Sequence, residues 1–123
     1  MQKIFAVLLI LVFGGMALAQ NRSGIYELNP AQSVEIVDKS RSITFDIGAS
    51  VGDGDFNLRG TAKLIRKNVY EYRKIIRGKV EDSLCRIRFT FSGRILTVKE
   101  DLDCINYRFP DVSLDGTYEK SNE

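Results

Sequence analysis

The strongest constraint on this fold is a run of strict period-two alternation in the middle of the chain. Ile43, Phe45, Ile47, Ala49 and Val51 alternate with Thr44, Asp46, Gly48 and Ser50. Successive strand residues point to opposite faces of a sheet, so this spacing predicts a strand with one buried face. Gly52-Asp53-Gly54-Asp55 follows as a hairpin turn, because glycine tolerates the positive φ that tight turns demand. The return strand then places Phe56, Leu58, Gly60, Ala62 and Leu64 on the core face and Asn57, Arg59, Thr61 and Lys63 outside. Small Gly60 and Ala62 either sit opposite the bulky residues of the preceding strand or mark a bend.

The same grammar repeats on both sides. Gly24 to Leu28 reads as a strand closed by the turn dipeptide Asn29-Pro30, and Val34 to Val37 as a second short strand. Cys85, Ile87, Phe89 and Phe91 alternate with Arg86, Arg88, Thr90 and Ser92. Ser92-Gly93-Arg94 turns into Ile95 to Val98, and Ile105, Tyr107 and Phe109 alternate before Pro110. A last strand runs near Leu114 to Tyr118. One segment is open to two readings. Val69 to Ile76, with Tyr70 and Tyr72, reads as a strand, but Ile65, Val69, Tyr72, Ile76 and Val80 also fit a helical stripe. Its β-branched and aromatic content favours a strand. About eight short strands with tight turns predict an all-β domain, a small antiparallel up-and-down barrel or a sandwich. The echo between Gly24-Ile25-Tyr26-Glu27 and Gly116-Thr117-Tyr118-Glu119 favours a barrel, since pairing the two ends removes both exposed edges.

The N-terminus has a separate purpose. Lys3 precedes ten apolar residues, Ile4 to Phe13, and Gly14-Gly15-Met16 leads to Ala17-Leu18-Ala19 before Gln20. A basic start, an apolar core and a small-x-small site make a cleavable signal peptide over residues 1–19, leaving a single domain over 20–123. The apolar run is shorter than the roughly 20 residues needed to span a bilayer, and no cysteine stands near the cleavage site for acylation. The expectation is a secreted or periplasmic protein with no stable membrane anchor.

Export decides how the two cysteines are read. Cys85 and Cys104 form an even pair in an oxidising compartment, so a structural disulfide is expected. Closing a loop of about 20 residues contributes roughly 3 kcal/mol in the chain-entropy model. A reactive dithiol is disfavoured, because the spacing is not C-x-x-C and no histidine is present to activate a thiolate.

The outline Cys85-x-Ile87-x-Phe89-x-Phe91, Cys104, Gly116-x-Tyr118 resembles small exported bacterial β-barrel proteins of uncharacterised function. The opening Gly24-x-Tyr26 is similar to the Gly-x-Trp start of lipocalins, although this chain has no Trp. The resemblance implies a fold and a compartment and carries no activity.

Composition narrows the functional classes. Without Lys3, seventeen basic residues face sixteen acidic ones, a net charge of +1, which gives no global argument for nucleic acid. The absence of histidine removes the commonest general base and zinc ligand. No cofactor, metal site or catalytic set is expected, and the chain reads as a non-enzyme. Asp53-Gly54-Asp55 and Glu100-Asp101-Asp103 offer clustered oxygens, but they fall where solvated turns are expected and do not fit an EF-hand loop. Asn21-Arg22-Ser23 matches an N-glycosylation sequon and reads more simply as a polar N-terminus.

The most distinctive stretch is basic. Lys63, Arg66, Lys67, Arg73, Lys74 and Arg77 crowd together around Glu71, with Tyr70 and Tyr72 interleaved. As a hairpin it would bind a protein or an anionic surface, since arginine and tyrosine carry much of the energy of interfaces. An inhibitor or immunity-like role is one concrete form. The bland alternative is a solvated face whose charges guard a hydrophobic strand from aggregation. The second functional reading is a lipocalin-like carrier of a small apolar ligand inside the barrel, although Phe45, Phe56, Phe89 and Phe91 would fill so small an interior.

Overall fold

The computed structural model describes residues 21–51, 54–78, 81–101, 104 and 113–122. The signal peptide expected over 1–19 and the strand expected over Ile105 to Phe109 lie outside the described residues, as do Gly52 and Asp53 of the first hairpin turn.

Eight strands follow one another in chain order: β1 Gly24–Asn29, β2 Gln32–Asp38, β3 Ser42–Val51, β4 Gly54–Arg66, β5 Val69–Ile76, β6 Ser83–Ser92, β7 Ile95–Glu100 and β8 Gly116–Lys120. Each pairs antiparallel with the next, and β8 returns to β1 to close an up-and-down barrel. The sequence echo at the chain ends is thus an actual seam, with Tyr26 opposite Lys120 and Glu27 opposite Glu119. Between barrel and sandwich the chain adopts the barrel, and the segment open to helix or strand is β5.

Alternation does the packing. Tyr26, Val34, Ile36, Ile43, Phe45, Ile47, Ile87, Phe89, Leu96, Val98 and Tyr118 are all at most 2% exposed, and the inward rings fill the lumen. Phe45 lies 4.7 Å from Phe89 and 5.1 Å, edge-on, from Tyr72, while Phe91 takes Tyr26 and Tyr70 at 5.8 and 5.7 Å. Such edge-to-face pairs match the positive rim of one ring to the negative face of another. Gly60 stands opposite Phe45, and Ala62 opposite Ile43. A Cβ on Gly60 would come within 2.6 Å of the Tyr72 ring and 2.9 Å of Phe45, so the small residue is what lets two aromatic rings meet inside.

Three details depart from the sequence reading. Leu64, expected on the core face, is 42% exposed, because the β4–β5 register slips between Leu64 and Arg66 just as β4 leaves the sheet. Tyr70 and Tyr72, expected among the surface cations, are buried in the core at 1% and 9% exposure. The third concerns β4 and β5 together. Their register pairs are confined to Lys63–Arg66 against Val69–Glu71, so the basic stretch is not one continuous hairpin ladder.

A cationic mouth as the candidate functional site

Antiparallel order sorts the connections onto two ends. One end gathers the β1–β2, β3–β4 and β5–β6 turns and the long β7–β8 connection. It is closed by the Cys85–Cys104 disulfide, whose Cα atoms are 4.6 Å apart, and by Leu114, which is fully buried. Tyr118 locks the arrangement, donating to the Leu114 carbonyl at 2.9 Å and accepting from Gln32 Nε2 at 2.7 Å. The expected disulfide therefore ties the β7–β8 connection to β6 across the barrel end.

The other end gathers the β2–β3, β4–β5 and β6–β7 turns together with the start of β1 and the finish of β8. Here a cleft of about 690 Å³ lies over the buried rings and is lined by Arg22, Asp38, Leu64, Lys67, Tyr70 and Phe91 among others. Asn68, at φ 66°, makes the tight left-handed turn from β4 to β5; asparagine tolerates that conformation better than most residues.

Arg22 organises this mouth. Its main-chain N–H donates to Asp38 Oδ2 at 3.0 Å, its guanidinium donates to Asn68 Oδ1, and the same guanidinium lies 5.5 Å above the Phe91 ring. Its carbonyl accepts from the Tyr26 hydroxyl at 2.8 Å, while Tyr70 donates to the Ser40 carbonyl at 3.1 Å. Burial raises the pKa of both hydroxyls; the charge of Arg22 pulls against that rise.

Charge divides along the same axis. The turns and strand ends at the mouth carry Arg22, Lys39, Arg41, Arg66, Lys67, Arg94 and Lys120. Among the described residues the carboxylate in those turns is Asp38, and Glu119 stands on the outer wall one residue below Lys120. The Asp38 carboxylate is occupied by the main-chain N–H groups of Arg22 and Ser40. The closed end carries Asp55, Glu81, Asp82, Glu100, Asp101 and Asp115 against Arg77, Arg86 and Lys99 among the described residues.

The residues expected to bind a partner are accordingly split. Lys63, Arg66 and Lys67 stand exposed near the mouth, and Arg73, Lys74 and Arg77 run down β5 toward the closed end. On the wall, Glu71 is clamped between Arg73 at 3.1 Å and Arg88 at 3.0 Å, and Arg77 pairs with Asp82 at 2.5 Å. Arg59 pairs with Asp46 at 2.9 Å and Arg86 with Asp101 at 2.7 Å. All the ion pairs among the described residues are therefore on the wall or at the closed end, whereas Lys39, Arg41, Arg66 and Lys67 at the mouth make none.

Sequence reasoning missed five members of this rim. Arg22 was readable only as part of a sequon, and Lys39, Arg41, Arg94 and Lys120 are scattered singly along the chain. The signal that could have found them is positional, since they sit in or beside every second turn of a meander. Of the carboxylates weighed for calcium, Asp101 pairs with Arg86, and Glu100 accepts the Leu114 N–H at 3.1 Å, which are turn-closing roles.

Comparison with protein-family models, characterised proteins and solved structures finds no match to this chain. Of the outlined resemblance, what the structure shows is the architecture, a small eight-stranded antiparallel barrel with one disulfide.

Proposed function

We propose that this chain is an exported, non-enzymatic binding protein that holds an anionic partner against the cationic end of its barrel. The observation that carries this reading is the contrast in charge pairing. Arginines of the wall and the closed end are paired with Glu71, Asp46, Asp82 and Asp101, while among the described residues no carboxylate forms an ion pair with the cations of the mouth. Arg22, Arg94 and Lys120 are held by neutral acceptors and aromatic faces, which leave their charge uncancelled. Charges of one sign concentrated on one face steer an oppositely charged partner and fix its orientation.

Retention on immobilised poly-glutamate tests the assignment. Arg66→Glu with Lys67→Glu is expected to abolish retention at moderate salt, and Arg73→Glu with Lys74→Glu to leave most of it. The reverse ranking would return the site to the β5–β6 wall. The carrier alternative draws less support, because Phe45, Phe89 and Phe91 occupy the lumen that an apolar ligand would need.

A further inference from the structure

Resting on that reading, we infer that the anionic partner is the surface of a lipid bilayer, met end-on, with Leu64 and Ile65 inserted among the headgroups. Two independent features coincide at the mouth. Besides the cations without a carboxylate partner, four of the five exposed large hydrophobic side chains among the described residues lie in this half of the barrel: Ile25 at 42%, Val37 at 46%, Leu64 at 42% and Ile65 at 44%. Ile75, at 57%, is the exception.

Leu64 and Ile65 are consecutive. In a regular strand one of two neighbours points into the barrel and the other away. The register slip between Leu64 and Arg66 breaks that rule and leaves both side chains in solvent, directly before Arg66 and Lys67. Apolar side chains flanked by lysine and arginine suit the boundary between headgroups and acyl chains.

Arrangement favours a plane over a groove. The cations come from separate turns spaced around a rim, so they can meet a flat anionic surface together. The rest of the molecule cannot substitute for this end. Its wall carries the Asp46–Arg59 and Glu71–Arg88 pairs outward, unlike the apolar band of a membrane-spanning barrel. Its closed end keeps an excess of carboxylates, with Asp55, Glu81, Glu100 and Asp115 beside the paired Asp82 and Asp101, and would be disfavoured at an anionic leaflet.

Co-sedimentation with vesicles tests the inference. The protein should pellet with an equimolar mixture of phosphatidylcholine and phosphatidylglycerol and stay in solution with phosphatidylcholine alone. Leu64→Ser with Ile65→Ser should weaken vesicle binding by about tenfold or more and leave poly-glutamate retention and the thermal midpoint unchanged; Ile75→Ser should do nothing. The chain has no Trp, so Ile65→Trp supplies a single reporter. Its emission should shift to the blue on the anionic vesicles, and that of Ile75→Trp should not. Retention on poly-glutamate without vesicle binding would overturn the inference in favour of an acidic protein or polymer. Vesicle binding indifferent to Leu64→Ser with Ile65→Ser would overturn the insertion. Loss of both interactions in the unmodified protein would bring down the anionic-partner reading itself.

Discussion

At the end where β7 leaves the barrel, a disulfide, a buried leucine and a twice-bonded tyrosine hydroxyl close the lumen beneath an acidic rim. At the opposite end the Tyr26 and Tyr70 hydroxyls bond main-chain carbonyls, Tyr70 also meets the Arg22 side chain, a cleft lies beside them, and the rim is cationic. Both ends are made of turns between equivalent strands. On the proposed reading, the contrast separates stability from recognition along the barrel axis: the cross-link and the buried hydroxyl bonds sit at one end, and cations without a carboxylate partner among the described residues sit at the other.

The sharpest way to break the contrast is to unpin the closed end. Cys85→Ala with Cys104→Ala removes a cross-link between residues 19 apart in sequence and should cost about 3 kcal/mol in urea unfolding. Native hydrogen exchange should then rise first around Leu114 and Tyr118, not around Arg22; exchange opening first at the mouth would contradict the division.

Next in size is Tyr118→Phe, which strands the Leu114 carbonyl and a Gln32 donor in the closed end and should cost about 1–2 kcal/mol. The same hydroxyl gives a pH test. Burial, the largest influence, pushes its pKa up to about 12; the Gln32 hydrogen bond opposes the rise, and Glu100 and Asp115 add to it. A hydroxyl harder to ionise when folded favours the native state in its protonated form. Its contribution is complete below the ordinary tyrosine value of 10.0 and is lost as pH climbs toward about 12. Urea midpoints should therefore hold up to that ordinary value and fall above it, and Tyr118→Phe should flatten the fall. Tyr26 and Tyr70 contribute in the same direction.

At the mouth the effects on stability should be smaller. Tyr70→Phe removes the hydroxyl's bonds to the Ser40 carbonyl and the Arg22 side chain, groups that water can reach at the rim, for about 1 kcal/mol. Smallest of all, Arg66→Glu with Lys67→Glu should change unfolding by less than about 0.5 kcal/mol, because both side chains are exposed and make no ion pair among the described residues. A large loss of stability there would mean that the mouth cations are structural and would remove the basis for a binding role.

What could be learned from sequence alone was local and periodic. Alternation in 43–51 and 85–91 is a backbone property, since a strand presents every second side chain to one face whatever its neighbours do. That gave the strands, their buried faces, the filling of the lumen by Phe45, Phe89 and Phe91, and with the paired Gly-x-Tyr ends even the closure. The cysteine pairing followed from their even number and the expected export. Tertiary structure alone decided the site. Tyr70 and Tyr72 look like interface residues beside six cations in a linear reading; strand phase turns them inward, and the slip after Leu64 turns an apolar pair outward. Glu71 neutralises arginines on both β5 and β6, so proximity in sequence overstated the free charge of that stretch. The cations of the mouth lie as far apart in sequence as Arg22 and Lys120, and they form one surface only because an up-and-down barrel returns every second turn to the same end.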